Sequence, residues 1–460
     1  MTASDSWLVL VTGYAILLAW PVSTLALVSF AVRYVASHRK ALVSKSLEHG
    51  DGTPEHFWII VPALNEEVVV GNTVRAALGL GGPGGTLARV LVVDDGSDDR
   101  TPEVLAAIDH PRLQVLRREL PEARKGKGEA LNAAYRYISE RTAEAGVSPS
   151  KVVVGIIDGD GQGSQNILLE VSRMMRDTNI GAVQVQVRIR NRDKLLGAVQ
   201  DLEFGAIVNA CQTLRDAIDT VGLGGNGQFT RLSGLQALGD APWSACLVED
   251  LELGLRMHLD GVGIRYTSRA SVTQQAVVDL KRLTRQRTRW AQGNLQCAGY
   301  LRKLAVSKRI GVTSLIEMTH YLVSPWLNAL VTVFLVGGVL LAAGGLTVGH
   351  PMPYLPTWSQ LAYSGEVWLG VTLFPGFVWA LVHRHRLRDE KLSRLFTAAV
   401  AYPVFLILGL VATYRALGRQ ATGRSAWAKT ERLAEAPLEA PLQIPAPAPS
   451  TAPAPVPVPA

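Results

Sequence analysis

Two aspartates, Asp158 and Asp160, stand one residue apart in the stretch KVVVGIIDGDGQGSQ (residues 151–165), where an almost unbroken apolar run ends among glycines. Paired carboxylates of this kind suit a hard divalent cation, Mg²⁺ or Mn²⁺, which binds one or two of them and fills its other positions with water and phosphate oxygens. The small neighbours leave room for a bulky phosphate. DGDGQG also begins like a calcium loop, but the twelfth position, which that loop needs as Glu, is Leu169. A solvated turn rich in Asp and Gly is the plain alternative.

Other apolar runs end the same way. Asn65 and Glu66 follow IIVPAL, and Asp94 and Asp95 follow VLVV. Glu249 and Asp250 open the amphipathic stretch CLVEDLELGLRMHLDG, where acids also complement the dipole of a helix N-terminus. LKRLTRQRTRWAQGN sets Lys281, Arg282, Arg285, Arg287 and Arg289 beside Leu280, Leu283 and Trp290, the pattern of a basic helix on a membrane surface.

These groups need a frame. FWIIVP, ARVLVV, LQVLRR, KVVVGII and GAVQVQVRI read as strands, and helical stretches such as TPEVLAAI, with Thr101 as N-cap and Pro102 at the first helical position, separate most of them. The alternation predicts an α/β fold, a parallel sheet wrapped by helices that binds ligands at the carboxyl ends of its strands. No GxGxxG follows the first strand, which speaks against a dinucleotide fold with a glycine-rich phosphate turn. GLGGPGG (79–85) follows a helix and reads as a loop.

Composition adds a membrane. Of 460 residues 48% are hydrophobic and 18% charged, with a mean hydropathy of +0.17. Trp7 to Val32 carries no charge, so residues 1–34 are expected to form a transmembrane anchor. No Lys or Arg precedes it, unlike a cleaved leader. Arg33, Arg39, Lys40 and Lys45 follow and direct the next region to the cytoplasm. Within 301–435 come three more apolar stretches, Tyr321–Leu346, Val367–Val382 and Leu395–Leu417. The first two are expected to span the membrane; the last contains Pro403, and Arg415, Arg419, Arg424, Lys429 and Arg432 follow on the side that a full crossing would leave outside, so it is expected to be re-entrant or interfacial, with a third full span the alternative. Residues 436–460, rich in Pro and Ala, are expected to be a disordered tail.

The net charge of +7 gathers beside apolar segments, as in VHRHRLR (382–388), and is read as contact with membrane lipids, with no nucleic acid implied. Cys211, Cys246 and Cys297 are odd in number and form no CxxC, which argues against a disulfide or a zinc site.

In order along the chain, DDGS (94–97), KGEALN (127–132), DGD (158–160), VED (248–250) and QRTRW (286–290) resemble the motifs of the membrane-embedded family 2 glycosyltransferases, the group of cellulose, hyaluronan, chitin and poly-N-acetylglucosamine synthases. The likeness covers roughly residues 57–296. It implies a Rossmann-like GT-A catalytic domain over 35–300, cytoplasmic and flanked by transmembrane helices of a multi-pass plasma-membrane protein. It further implies a UDP-sugar donor and a Mg²⁺ or Mn²⁺ ion, with Asp160 its nearest ligand and Asp158 shared with the ribose and diphosphate.

By the same resemblance Asp95 meets the uracil, Lys127 faces the nucleotide and Arg289 binds the diphosphate, while Asn65 and Glu66 stand at the nucleotide rim. Asp250 is the general base beside Glu249. Trp290 floors the acceptor site with Gln286, and GLGGNGQF (222–229), with Gly225 and Asn226, resembles the loop that shapes its side. Val248 replaces the usual Thr, and Gly159 the usual Ala or Ser, and neither touches a ligand. WAKTER, Trp427 to Arg432, is similar to a cytoplasmic W-x-K-T-x-R/H stretch near the end of family members.

The expected activity is inverting, processive transfer from a UDP-sugar to a growing β-linked polysaccharide that is exported through the membrane. Transfer of one sugar to a membrane lipid is the alternative. A transporter regulated by its nucleotide-binding domain is the remote third, and it leaves VED and QRTRW without a purpose.

Overall fold

Along the first strand Phe57, Ile59 and Val61 alternate with Trp58 and Ile60, and both sets are buried, one in each of the two large apolar clusters that cover the sheet. A strand covered on both faces reads as a continuous apolar run, which is why its hydrophobicity does not alternate. The computed structural model describes residues 18–19, 21–34, 52–347, 358–424, 432–436 and 438.

The strands are β1 (His56–Ala63), β2 (Arg89–Asp94), β3 (Leu113–Arg117), β4 (Val152–Ile156), β5 (Gln162–Gly163), β6 (Ile180–Ile189), β7 (Gln228–Arg231) and β8 (Gly263–Gln274). They form one sheet in the order β3-β2-β1-β4-β7-β6-β8-β5. Its first four strands are parallel, as expected. The rest corrects the expectation of a parallel sheet: β7 runs antiparallel to both β4 and β6, and β5 antiparallel to β8, so the sheet is mixed. β7 is only four residues long, and direction in so short a strand leaves no mark on hydrophobic pattern.

The helices are α1 (Pro21–Tyr34), α2 (Val70–Leu78), α3 (Thr101–Ala106), α4 (Lys127–Glu144), α5 (Ile167–Met174), α6 (Leu195–Leu202), α7 (Asn209–Ala217), α8 (Leu232–Gln236), α9 (Glu249–Leu259), α10 (Leu280–Cys297), α11 (Leu301–Val306), α12 (Val312–Thr347), α13 (Trp358–Leu387) and α14 (Leu392–Ala421). A single π turn, Glu203–Val208, joins α6 to α7. α2 and α5 cover one face of the sheet, and α4 and α9 cover the other. Thr101 is the first helical residue of α3 instead of its cap, and its Oγ1 accepts the Glu66 N–H at 2.8 Å.

α6, α10, α13 and α14 share a third apolar cluster, built on Leu202, Leu283, Trp379 and Phe405. It packs α13 and α14 against α6 and α10. Among the described residues α14 is the one helix long and apolar enough to cross a membrane, and α1 is apolar but shorter, most of the expected N-terminal anchor lying outside the described residues. The multi-pass expectation is therefore not supported by the described helices. α14 runs unbroken through Pro403 for 30 residues, about 45 Å of helix, a length sufficient for a full span. The proline-rich tail and Trp427 fall outside the described residues.

Candidate active site

β1, β2 and β4 end side by side, and each runs directly into a polar loop. The loops border a cleft lined by Ala63, Leu64 and Glu66 from the first, Asp95 from the second and Asp158 and Gly159 from the third, together with Arg124, Lys127, Arg289 and Arg432. Two negative groups at the tip of a buried strand are held by the turn around them. Asp158 donates its N–H to Asn226 Oδ1 at 3.2 Å, Gly159 O accepts Thr73 Oγ1 at 2.8 Å, and Asp160 Oδ2 accepts the Gln275 N–H at 2.8 Å. A Cβ on Gly159 would lie 3.0 Å from Glu66 Cγ, so a residue larger than glycine would crowd that side chain.

Lys127, at the start of α4, is the hub of the acidic groups. Its Nζ lies 2.6 Å from Asp158 Oδ1 and 3.6 Å from Glu249 Oε1. Burial works to discharge the ammonium, but Asp158, Glu249 and Asp250 together outweigh it and raise its pKa. Burial likewise pushes Asp158 up, and Lys127, with Arg432 and Arg289, brings it below the usual carboxylate range. Glu249 is pushed up to about 7 by burial, with Lys127 opposing and Asp250 adding to the rise. Burial raises Asp250 as well, against Lys127. The first turn of α9 thus holds two carboxylates that keep protons more readily than free ones. A carboxylate so tuned suits proton transfer near neutral pH.

Most of the predicted residues converge here, some in roles that the sequence did not indicate. Asp95 is gripped by the Arg118 guanidinium and by the Arg124 N–H at 3.1 Å. Asn65 does not line the cleft. It adopts a left-handed φ of +55° and exchanges two hydrogen bonds with Asp98, locking the first loop to the second. Asn226, expected beside an acceptor, is buried and spans from Asp158 to Gln274 Oε1 at 2.9 Å. Gly225 does lie beside two of the predicted residues: at φ +71° a Cβ would stand 2.8 Å from Asp250 Oδ2 and 3.2 Å from Lys127 Nζ. On α10, which starts from an Asp279 cap, Arg289 reaches the cleft, whereas Gln286 and Trp290 are half-buried beyond its lining. Cys246 and Cys297, far apart in sequence, meet as free thiols with their sulfurs 3.9 Å apart.

The largest departure comes from the far end of the chain. Arg432 Nη2 lies 3.0 Å from Asp160 Oδ1, in the interior. Leu433 exchanges two hydrogen bonds with the Gln275 side chain, Glu435 pairs with Arg190 at 2.6 Å, and Asn72 holds the backbone of Ala436 and Leu438. The only sequence signal was that Arg432 closes the W-x-K-T-x-R likeness. Asn72, Arg190 and Gln275 gave none.

Asp158 and Asp160 fit a divalent cation. Both offer hard oxygen, and Asp160 Oδ1 is buried with no hydrogen bond, facing only the charge of Arg432. Among the described residues no group of three or more His, Cys, Asp or Glu is placed to hold a metal ion, so water and substrate would complete such an ion's shell.

Comparison with known proteins places this geometry. Residues 54–293 match a family described as "Glycosyltransferase like family 2". The beta-monoglucosyldiacylglycerol synthase of Trichormus variabilis is 29% identical over 273 residues, 58% of this chain and 55% of that protein. The poly-beta-1,6-N-acetyl-D-glucosamine synthase of Staphylococcus epidermidis is 26% identical over 275 residues, 57% of this chain and 60% of that protein. The chain thus spans less than two thirds of the length of these relatives. Among solved structures, the mannosyltransferase PcManGT from Pyrobaculum calidifontis, in complex with GDP-Man and Mn²⁺, aligns over 82% of this chain and 98% of its own, with a TM-score of 0.52 and 19% identity. That likeness is one of fold, an α/β GT-A-like architecture with a mixed sheet.

Proposed function

The chain belongs to glycosyltransferase like family 2, and from that premise we propose that it moves a sugar, with inversion, from a UDP-sugar to a hydroxyl presented at a membrane surface. One observation carries the reading: Asp158, Lys127, Glu249 and Arg289, drawn from four separate elements, meet at one strand edge. The uracil would lie at Asp95. Glu66 and Asp158 would face the ribose and diphosphate, and the charges of Arg289 and Lys127 would receive the negative charge that builds on the departing UDP. Asp250, beside Gly225, would take the proton of the acceptor hydroxyl as its oxygen bonds to the anomeric carbon from the face opposite UDP. Asp160 and Asp158 would hold Mg²⁺ or Mn²⁺, which when bound adds positive charge at the diphosphate.

The acceptor we propose is a growing β-linked polysaccharide, with Trp290 and Gln286 on its side of the site. The 29% identity to a monoglucosyldiacylglycerol synthase favours a lipid acceptor as the second reading. The catalytic domain would face the cytoplasm, with α14 in the bilayer.

The test is to incubate the reconstituted chain with a panel of UDP-sugars, follow UDP release and size the radiolabelled product. A long polymer supports the first reading, one sugar on an extractable lipid the second, and UDP bound without turnover overturns both.

A further inference from the structure

Arg287 of QRTRW has no role in the reading above. Its two terminal nitrogens meet the two carboxylate oxygens of Glu203 at 2.8 and 2.6 Å, a bidentate pair. Both side chains are largely buried. The guanidinium also lies over two aromatic rings. Its Cζ lies 4.6 Å from the centroid of the Trp290 ring and 5.0 Å from that of Phe405. Trp290 sits three residues further along α10, on the same side of the helix.

Glu203 opens the π turn, a feature that in a helix often marks a functional point. Phe405 belongs to α14. The guanidinium is therefore held through its nitrogens by Glu203 and lies over the rings of Trp290 and Phe405. Arginine alone among side chains offers both the planar fork and the stacking faces, and lysine cannot reproduce this.

We propose that Arg287 is a positioning residue for the acceptor: clamped by Glu203, it holds the Trp290 indole by one face and leaves the other to pack against the acceptor. This rests on the reading of Trp290 as the acceptor platform. Arg287 touches neither donor nor metal ligands, so its effect should appear in acceptor use and not in nucleotide binding.

The experiment uses the full chain in nanodiscs with Arg287→Ala, Arg287→Lys, Glu203→Gln, Trp290→Ala and the Arg287→Ala/Trp290→Ala double variant. The acceptor probe is dioleoylglycerol or a β-linked oligosaccharide, whichever the wild type glycosylates. UDP affinity with Mn²⁺ is measured by calorimetry and stability by thermal melting. Arg287→Ala should raise the acceptor KM about tenfold, and Arg287→Lys should rescue little of it although its charge is kept. UDP affinity should stay within about twofold of wild type, since Arg287 lies outside the cleft lining. Adding Arg287→Ala to Trp290→Ala should change the acceptor KM no further, because the one acts through the other.

An unchanged acceptor KM in both Arg287 variants, or effects that multiply in the double variant, overturns the proposal while leaving the platform intact. An unchanged acceptor KM in Trp290→Ala removes the platform reading itself and this proposal with it. If Arg287→Ala does not fold, Arg287→Lys and Glu203→Gln decide on the same readouts.

Discussion

Replacing Glu249 by Gln should make the protein more stable and less active, by an amount that depends on pH in a fixed direction. Glu249 is 7% exposed. Its pKa is pushed from an ordinary 4.5 up to about 7, burial being the main cause. Between those two values the folded chain binds a proton that the unfolded chain has released. The stability associated with protonated Glu249 is therefore complete below pH 4.5 and is lost as pH rises through about 7. At 1.36 kcal/mol per unit, burying Glu249 costs the fold about 3 kcal/mol at pH 8, where it is ionised, and about 1 kcal/mol at pH 5.5, where it must take up a proton. Gln keeps the shape and never ionises. Lys127 is not orphaned by the change, since Asp158 stays 2.6 Å away.

The stability advantage of Glu249→Gln should accordingly grow by about 2 kcal/mol between pH 5.5 and 8, or roughly 4–8 °C in melting temperature for a domain of this size. Thermal melts of the detergent-solubilised wild type and variant across that range measure it. A difference that is flat with pH, or a variant less stable at pH 8, would refute the placement of a strained carboxylate at the start of α9.

Asp250→Asn should lose about 10² to 10⁴ in transfer rate with UDP affinity retained, and a parallel collapse of UDP binding would make Asp250 structural instead. Arg432→Ala leaves the buried Asp160 without its cation and should cost about 3 kcal/mol, a loss that Mn²⁺ should partly restore in thermal melts, more than in wild type. Equal Mn²⁺ shifts in the two proteins would separate Arg432 from the metal site. Gly155→Ala puts a Cβ 2.4 Å from Phe229 Cε1 between β4 and its neighbour and should destabilise by about 1–3 kcal/mol without altering nucleotide affinity, as denaturant titration and calorimetry can check.

Local pattern settled a good deal in advance. A strand buried on both faces must be apolar along its length, so β1, β2 and β4 announced themselves, and the polar residues just past their ends had to fall at one rim. The start of α9 at Glu249 and of α10 after Asp279 followed from acids and amphipathic spacing. That Asp158 falls at this rim beside Glu66 and Asp95 was legible too, because it follows directly on the apolar run of β4.

Tertiary structure decided the rest, for one physical reason. Hydrophobic period records whether a side chain is buried, and carries nothing about which distant segment buries it. The antiparallel course of β7, the meeting of Cys246 with Cys297, the use of Asn65 and Asn226 as clamps and the lock of Arg287 on Glu203 all depend on the path of the chain. So does the approach of Arg432 to Asp160 across 272 positions, where a basic residue far along the chain becomes the buried counter-charge of that carboxylate.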